Sequence, residues 1–178
     1  MLPLDAFKRA SAQNGIILDT NLIIVFFVGL YRPDLIPSCK RTSAYTVDDF
    51  RYICNIIKQS KNIIVTPQIL TELSNHTFDR LFDEPGFSEY FAHIHRVISA
   101  SEESHAHKDI LLNNKMLSQI GFADTSIIEA AKTMGCAVLT DDSKLTAILS
   151  AQNYPNLNIN VIRTYQWFNE IPSPITTI

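Results

Sequence analysis

GIILDTN, Gly15 to Asn21, is the stretch on which the reading of this chain turns. A glycine opens the short apolar run Ile16 to Leu18, the run stops at Asp-Thr-Asn, and a second apolar run, Leu22 to Leu30, follows at once. Brief β-branched runs of this kind read as buried strands, so a carboxylate, Asp19, stands directly at a strand's carboxyl end. That is the edge at which open parallel sheets bind ligands. Three further runs share its character: NIIVT (62–66), CAVLT (136–140) and INVI (159–162). Between them lie stretches of helical period, Val47 to Lys58, Pro67 to Arg80, Phe91 to Ala100 and Asp124 to Met134. Strands alternating with helices predict parallel pairing in a layered α/β sheet.

Helix starts are legible as well. Thr66 before Pro67, and Thr46 before Asp48 and Asp49, place a capping hydroxyl ahead of a proline or of first-turn acids. At 178 residues, with 46% hydrophobic and 19% charged content, the chain is sized for one domain with a substantial core, and residues 1–178 read as that domain. No repeat, low-complexity block or Gly/Ser linker divides it. Pro85-Gly86 separates two helices, and Pro172-Ser173-Pro174 opens what reads as a frayed tail, 172–178.

A formal net charge of −3 excludes a surface that is basic throughout, so any contact with nucleic-acid phosphates has to be local. Cys39, Cys54 and Cys136 are odd in number, far apart and free of any CxxC spacing, which suits reduced thiols and a cytoplasmic location. Lys8 and Arg9 ahead of the Ile16 to Leu30 stretch invite a signal-peptide or membrane reading. Asp19, Thr20 and Asn21 break that stretch well short of the ~18 apolar residues a span needs, and no membrane segment is predicted.

The chemistry rests on carboxylates. Asp19 follows the first strand, and Asp141-Asp142 follow the third in the same way. Each of these aspartates also has a plain reading as a cap for the helix that follows. Glu72 lies three residues after Ile69 and just before Leu73, beside the apolar stripe of its helix, where burial is costly without a cation. No lysine or arginine stands at i+3 or i+4 to supply one. Asp124, in GFADTSIIEAAK, extends the inward stripe of Ile128 and Ala131 toward the helix start, with an N-cap as its second reading. Acids gathered in one pocket repel by about 3 kcal/mol per pair at ~5 Å and an effective dielectric of ~20. Mg²⁺ or Mn²⁺, which accepts hard oxygen ligands, would offset that repulsion. Asn21 and Thr140 are the expected orienting groups around such an ion.

With these residues in place, GIILDTN, VTPQILTEL, GFADTSIIEAAK and AVLTDDSKL resemble, in order and spacing, the successive motifs of PIN-domain ribonucleases, over roughly Gly15 to Trp167. The resemblance implies a three-layer α/β/α sandwich around a parallel sheet, with a core of about 15–168, and an acidic pocket for Mg²⁺ or Mn²⁺. It implies an endoribonuclease that hydrolyses RNA phosphodiester bonds to a 5′ phosphate and a 3′ hydroxyl. Carried over by position, Asp19 is the central metal ligand, Glu72 and Asp124 complete the shell, and Asp142 matches the aspartate of the Thr-x-Asp motif. Asp141 falls on the variable position of that motif, facing solvent or a second metal. RNA is then the substrate, and for toxins of the family an antitoxin protein is the partner. The Leu22 to Leu30 helix corresponds to one that borders a homodimer interface in such proteins, although burial within the monomer explains it equally well. The chain departs from the family between His76 and Gln119, where the interval exceeds that of the most compact members and is expected to add helices.

Other features have simpler explanations. His93 and His95, and His105 and His107, are two apart, point to different sides of a helix and lack a completing cysteine or carboxylate, so zinc is not expected. Arg51, Asn55 and Lys58, with Lys61 beyond, share one helix face; a solvated face is the commoner explanation and a phosphate-guiding strip the second. Two competing functions stand beside the ribonuclease: a PIN-like module that binds RNA or protein without catalysis, and another phosphohydrolase on a Rossmann-like sheet. The second is weakened by the absence of an aspartate two residues after Asp19 and of a Gly-rich phosphate loop.

Overall fold

The computed structural model describes residues 3–81 and 86–167. Five strands, β1 (Ile16–Leu18), β2 (Ile63–Val65), β3 (Glu102–Glu103), β4 (Ala137–Thr140) and β5 (Asn156–Asn158), form one sheet in the order β3-β2-β1-β4-β5. All pairings are parallel, with Ile16 opposite Ile63 on one side of β1 and Ile17 opposite Val138 on the other. The helices are α1 (Pro3–Asn14), α2 (Thr20–Tyr31), α3 (Val47–Gln59), α4 (Pro67–Leu81), α5 (Phe87–Ser99), α6 (Lys108–Asn113), α7 (Leu117–Met134), α8 (Ser143–Ala151) and α9 (Ile159–Trp167). They flank the sheet in the three-layer α/β/α arrangement that was expected.

The three central strands are buried along their whole length, which is why they read as unbroken apolar runs rather than alternating ones. Leu22 to Gly29 are all buried in α2, which packs on α3, α4 and α5 and over β1 and β4. The apolar character of that run is thus accounted for within the monomer. Gly15 enters β1 at φ +94°, and a Cβ there would stand 2.1 Å from Asn62 Oδ1, so the residue opening the motif has to be glycine. Both helix-start readings hold: Thr66 Oγ1 accepts from the Ile69 amide at 3.3 Å, and Thr46 forms a reciprocal capping box with Asp49.

One strand was misplaced. INVI (159–162) opens α9 rather than forming a strand, and the edge strand lies just before it, in the polar sequence Asn156–Asn158. Asn158 Oδ1 accepts from the Asn160 amide at 2.9 Å, turning the chain into helix, and Ile159 and Ile162 are buried at the three-residue spacing of a helix face while Val161 is 44% exposed. A four-residue β-branched run fits either period. Within 76–119 the chain forms α5, α6 and the two-residue edge strand β3, whose acidic sequence carried no strand signal. The tail at 172–178, expected to be frayed, lies outside the described residues. Among the described residues no helix is long and apolar enough to cross a membrane.

Candidate functional site

The chain leaves β1 toward β2 on one side and later fills β4 on the other, so the sheet's topological switch point lies between β1 and β4. A crevice at the carboxyl ends of these strands is where such sheets bind ligands. Asp19 and the pair Thr140-Asp141 are the residues that the chain delivers there. The Asp19 amide continues the sheet by donating to Leu139 O at 3.0 Å, which fixes the side chain over β4.

Asp19 is 5% exposed. Its Oδ1 accepts from the Leu22 amide at 3.0 Å and caps α2, while Oδ2 accepts from the Thr140 hydroxyl and, at 3.0 Å, from the Asp141 amide. Burial, followed by the charge of Asp141, raises its pKa from 3.8 to about 7, against the lowering effect of those hydrogen bonds. Thr140 is itself pinned, since its hydroxyl oxygen accepts from the Asp142 amide at 2.9 Å. Thr140 thus acts on Asp19 directly.

Glu72 projects from the middle of α4, half-buried, and its Oε2 accepts from the Thr20 hydroxyl at 2.6 Å. Asp124 lies within α7, three residues past Gly121, where a φ of +81° kinks the helix; it is not an N-cap. Burial, then the charges of Asp142, Glu72 and Asp141 in that order, raise its pKa to about 6, with Lys144 opposing. Asp124 is therefore near enough to Asp142, Glu72 and Asp141 to feel their charges. Asp142 is exposed, and its Oδ1 caps α8 by accepting from the Lys144 and Leu145 amides at 2.6 and 2.9 Å. Asp141 is half-buried: it accepts from the Tyr45 hydroxyl at 2.5 Å, and Asn21 approaches at 3.4 Å.

Among the described residues none of these five acids has an ion-pair partner; Arg163 is committed to Asp49, and Lys144 Nζ donates to Gln119 O at 2.7 Å. The donor set is carboxylate oxygen throughout, with Asp19 buried beside a second acid, and it fits a hard divalent ion. Among the described residues no three His, Cys, Asp or Glu side chains are already grouped as ligands. The local hydrogen bonds explain this, since Glu72 is turned to Thr20 and Asp142 to the α8 amides. His107 lies 3.1 Å from Asp109. Arg51 pairs with Asp48 at 2.8 Å on the exposed face of α3, which supports the solvated-face reading of that strip.

Sequence reasoning missed Thr20, Tyr45, Asn160 and Arg163. Thr20 sat inside the Asp-Thr-Asn motif and could have been singled out there. The other three touch Asp141 or its brace from distant parts of the chain, with no motif to mark them. No family model, curated protein or solved structure matches this chain. Fold and site together define a parallel α/β protein with the buried carboxylate Asp19 at its switch point.

Proposed function

We propose that this protein is a Mg²⁺- or Mn²⁺-dependent endoribonuclease of the PIN-domain kind. The observation that carries the reading is the buried Asp19 carboxylate at the β1/β4 switch point, beside the charge of Asp141 and with no ion-pair partner of its own among the described residues. Asp19, Glu72, Asp124 and Asp142 would hold the ion, with Asp141 as a fifth carboxylate. When bound, the ion supplies charge compensation for the departing 3′ oxygen and acidifies water for attack on phosphorus. The chain's own contribution is positional: Thr140 fixes Asp19, Thr20 steadies Glu72, and the α2 amide of Leu22 anchors the first carboxylate oxygen. A role as the toxin of a toxin–antitoxin pair, with an antitoxin or a second copy as partner, extends the same resemblance.

A second reading, a PIN-like binding module without catalysis, is favoured by one observation: the carboxylates are engaged in local caps and hydroxyl contacts rather than grouped as ligands. Purified protein incubated with mixed single-stranded RNAs, in Mn²⁺ and in a chelator, separates the two. The enzyme reading expects cleavage in Mn²⁺ and none in chelator. Mn²⁺ binding or RNA binding without cleavage would select the module.

A further inference from the structure

Two segments distant in sequence, those of Tyr45 and Asn160, converge on Asp141. Tyr45, just ahead of α3, is 5% exposed and donates its only hydroxyl proton to Asp141 Oδ2. The Asp141 carbonyl accepts from Asn160 Nδ2 at 3.2 Å, so the residue is held at both its side chain and its backbone. Arg163 braces both holders. Its guanidinium lies 5.2 Å over the Tyr45 ring, and its Nη1 donates to Asn160 Oδ1 at 2.8 Å.

Arg163 is itself locked. Its Nε and Nη2 donate at 2.8 Å to the two oxygens of Asp49, which is 4% exposed and already fixed by the Thr46 amide and hydroxyl at 2.7 and 2.9 Å. A planar fork on a carboxylate that is anchored in a capping box leaves the arginine little freedom. The rigidity of α3's first turn is thereby transmitted to one carboxylate in the crevice.

A buried tyrosine hydroxyl needs an acceptor, and a backbone carbonyl would serve. Here the acceptor is an acid that faces another buried acid. The hydrogen bond restrains Oδ2 and leaves Oδ1 the freer oxygen, with only the long Asn21 contact at 3.4 Å. We propose that Tyr45 is a positioning residue of the candidate metal centre, holding Asp141 so that Asp141 serves as an ion ligand opposite Asp19. The proposal rests on the metal-dependent reading above and assigns Asp141 a role that the Thr-x-Asp match does not.

The test is Mn²⁺ binding to the full chain, measured by the electron paramagnetic resonance signal of free Mn²⁺, for wild type, Tyr45→Phe, Asp141→Asn and the double variant. Phenylalanine keeps the ring under Arg163, and melting curves in chelator verify folding. Residues that orient metal ligands typically contribute 10- to 100-fold in affinity, so Tyr45→Phe should bind Mn²⁺ about tenfold or more weakly. The double variant should bind no more weakly than Asp141→Asn alone, because the phenol acts only through that carboxylate. A hydroxyl with a merely structural role would lower the melting temperature and leave Mn²⁺ affinity unchanged. Should Tyr45→Phe fold poorly, Mg²⁺ titration of the wild type followed in the tyrosine near-ultraviolet band gives a second readout, with a difference spectrum expected. Affinity of Tyr45→Phe within twofold of wild type, losses that add in the double variant, or a flat Mg²⁺ difference spectrum despite Mn²⁺ binding would each overturn the assignment and leave the metal reading standing. A wild type that binds no Mn²⁺ would overturn both.

Discussion

Replacing Asp19 by asparagine should make the metal-free protein more stable and the Mn²⁺-loaded protein inactive. The rise in the Asp19 pKa from 3.8 to about 7 corresponds to roughly 4 kcal/mol that the ionised carboxylate costs the fold. Asparagine removes that cost. It reintroduces part of it, because Leu22 N and Asp141 N both donate to Asp19, to different oxygens, and only one can be satisfied by an amide oxygen. An unmatched buried donor costs about 1–3 kcal/mol, leaving a net gain on the order of 1–3 kcal/mol. For a domain of this size that is about 2–4 °C in melting temperature per kcal/mol. The gain depends on pH with a definite sign. A group whose folded pKa lies above its unfolded one contributes stability that is fully present below about 3.8 and is lost as the pH rises through about 7. Wild type in chelator should therefore lose stability from this group between pH 4 and pH 7, while Asp19→Asn should not. The advantage of the variant should be greatest at pH 8 and vanish or reverse near pH 5. Melting curves of both proteins in chelator at these two pH values, beside an RNA cleavage assay in Mn²⁺, provide the measurement. Cleavage should fall on the order of a hundredfold or more. A variant no more stable than wild type at pH 8, or one equally favoured at both pH values, would refute the reasoning.

Cleavage of single-stranded RNA should require Mg²⁺ or Mn²⁺ and should not be restored by Zn²⁺ alone, since the proposed ligands are all oxygen; undiminished cleavage in chelator would refute the metal requirement. Arg163→Met should destabilise the protein by on the order of 2–4 kcal/mol, less than a fully buried pair because the arginine is 32% exposed, as read by urea denaturation at pH 7. Burial alone would raise the Asp49 pKa, but hydrogen bonds from Arg163 and Thr46 hold it below 3.8, so its contribution is present above that pH and is lost as the pH falls further. The Arg163→Met deficit should accordingly shrink in acid, and a deficit constant from pH 7 to pH 3 would exclude the pair as its source. Gly15→Ala, which combines φ +94° with a 2.1 Å approach to Asn62 Oδ1, should cost on the order of 2 kcal/mol or more in the same denaturation assay.

The central strands and their acids were legible for one shared reason. A strand buried on both faces must be apolar throughout, so its end is marked by the first polar residue, and at the carboxyl edge of β1 and β4 that residue belongs to the crevice. The edge strands carry no such mark. β3 is Glu-Glu and exposed, and β5 is Asn-Leu-Asn, so neither differs in composition from a loop. INVI was mistaken for a strand because burial of Ile159 and Ile162 shows its three-residue spacing only when the exposure of Val161 is known.

The illegible part of the site is its brace. Tyr45 meets Asp141 across 96 positions, and Arg163 meets Asp49 across 114. Asp49 already had a sufficient local explanation as a first-turn acid in a capping box, and nothing in the sequence prompts a search for a second partner. The same holds for Asp19 and Asp142, which do cap α2 and α8. A cap engages one carboxylate oxygen, whereas an ionised carboxylate offers about four acceptor positions on two oxygens. Capping and membership of a site are therefore compatible. Asp49 demonstrates this within the chain, since the carboxylate that closes the α3 capping box by accepting from Thr46 also takes a two-pronged arginine. Asp19 has the same form at the switch point: Oδ1 anchors it to α2, and the rest of the carboxylate is turned over β4, where Asp141 and its tyrosine stand.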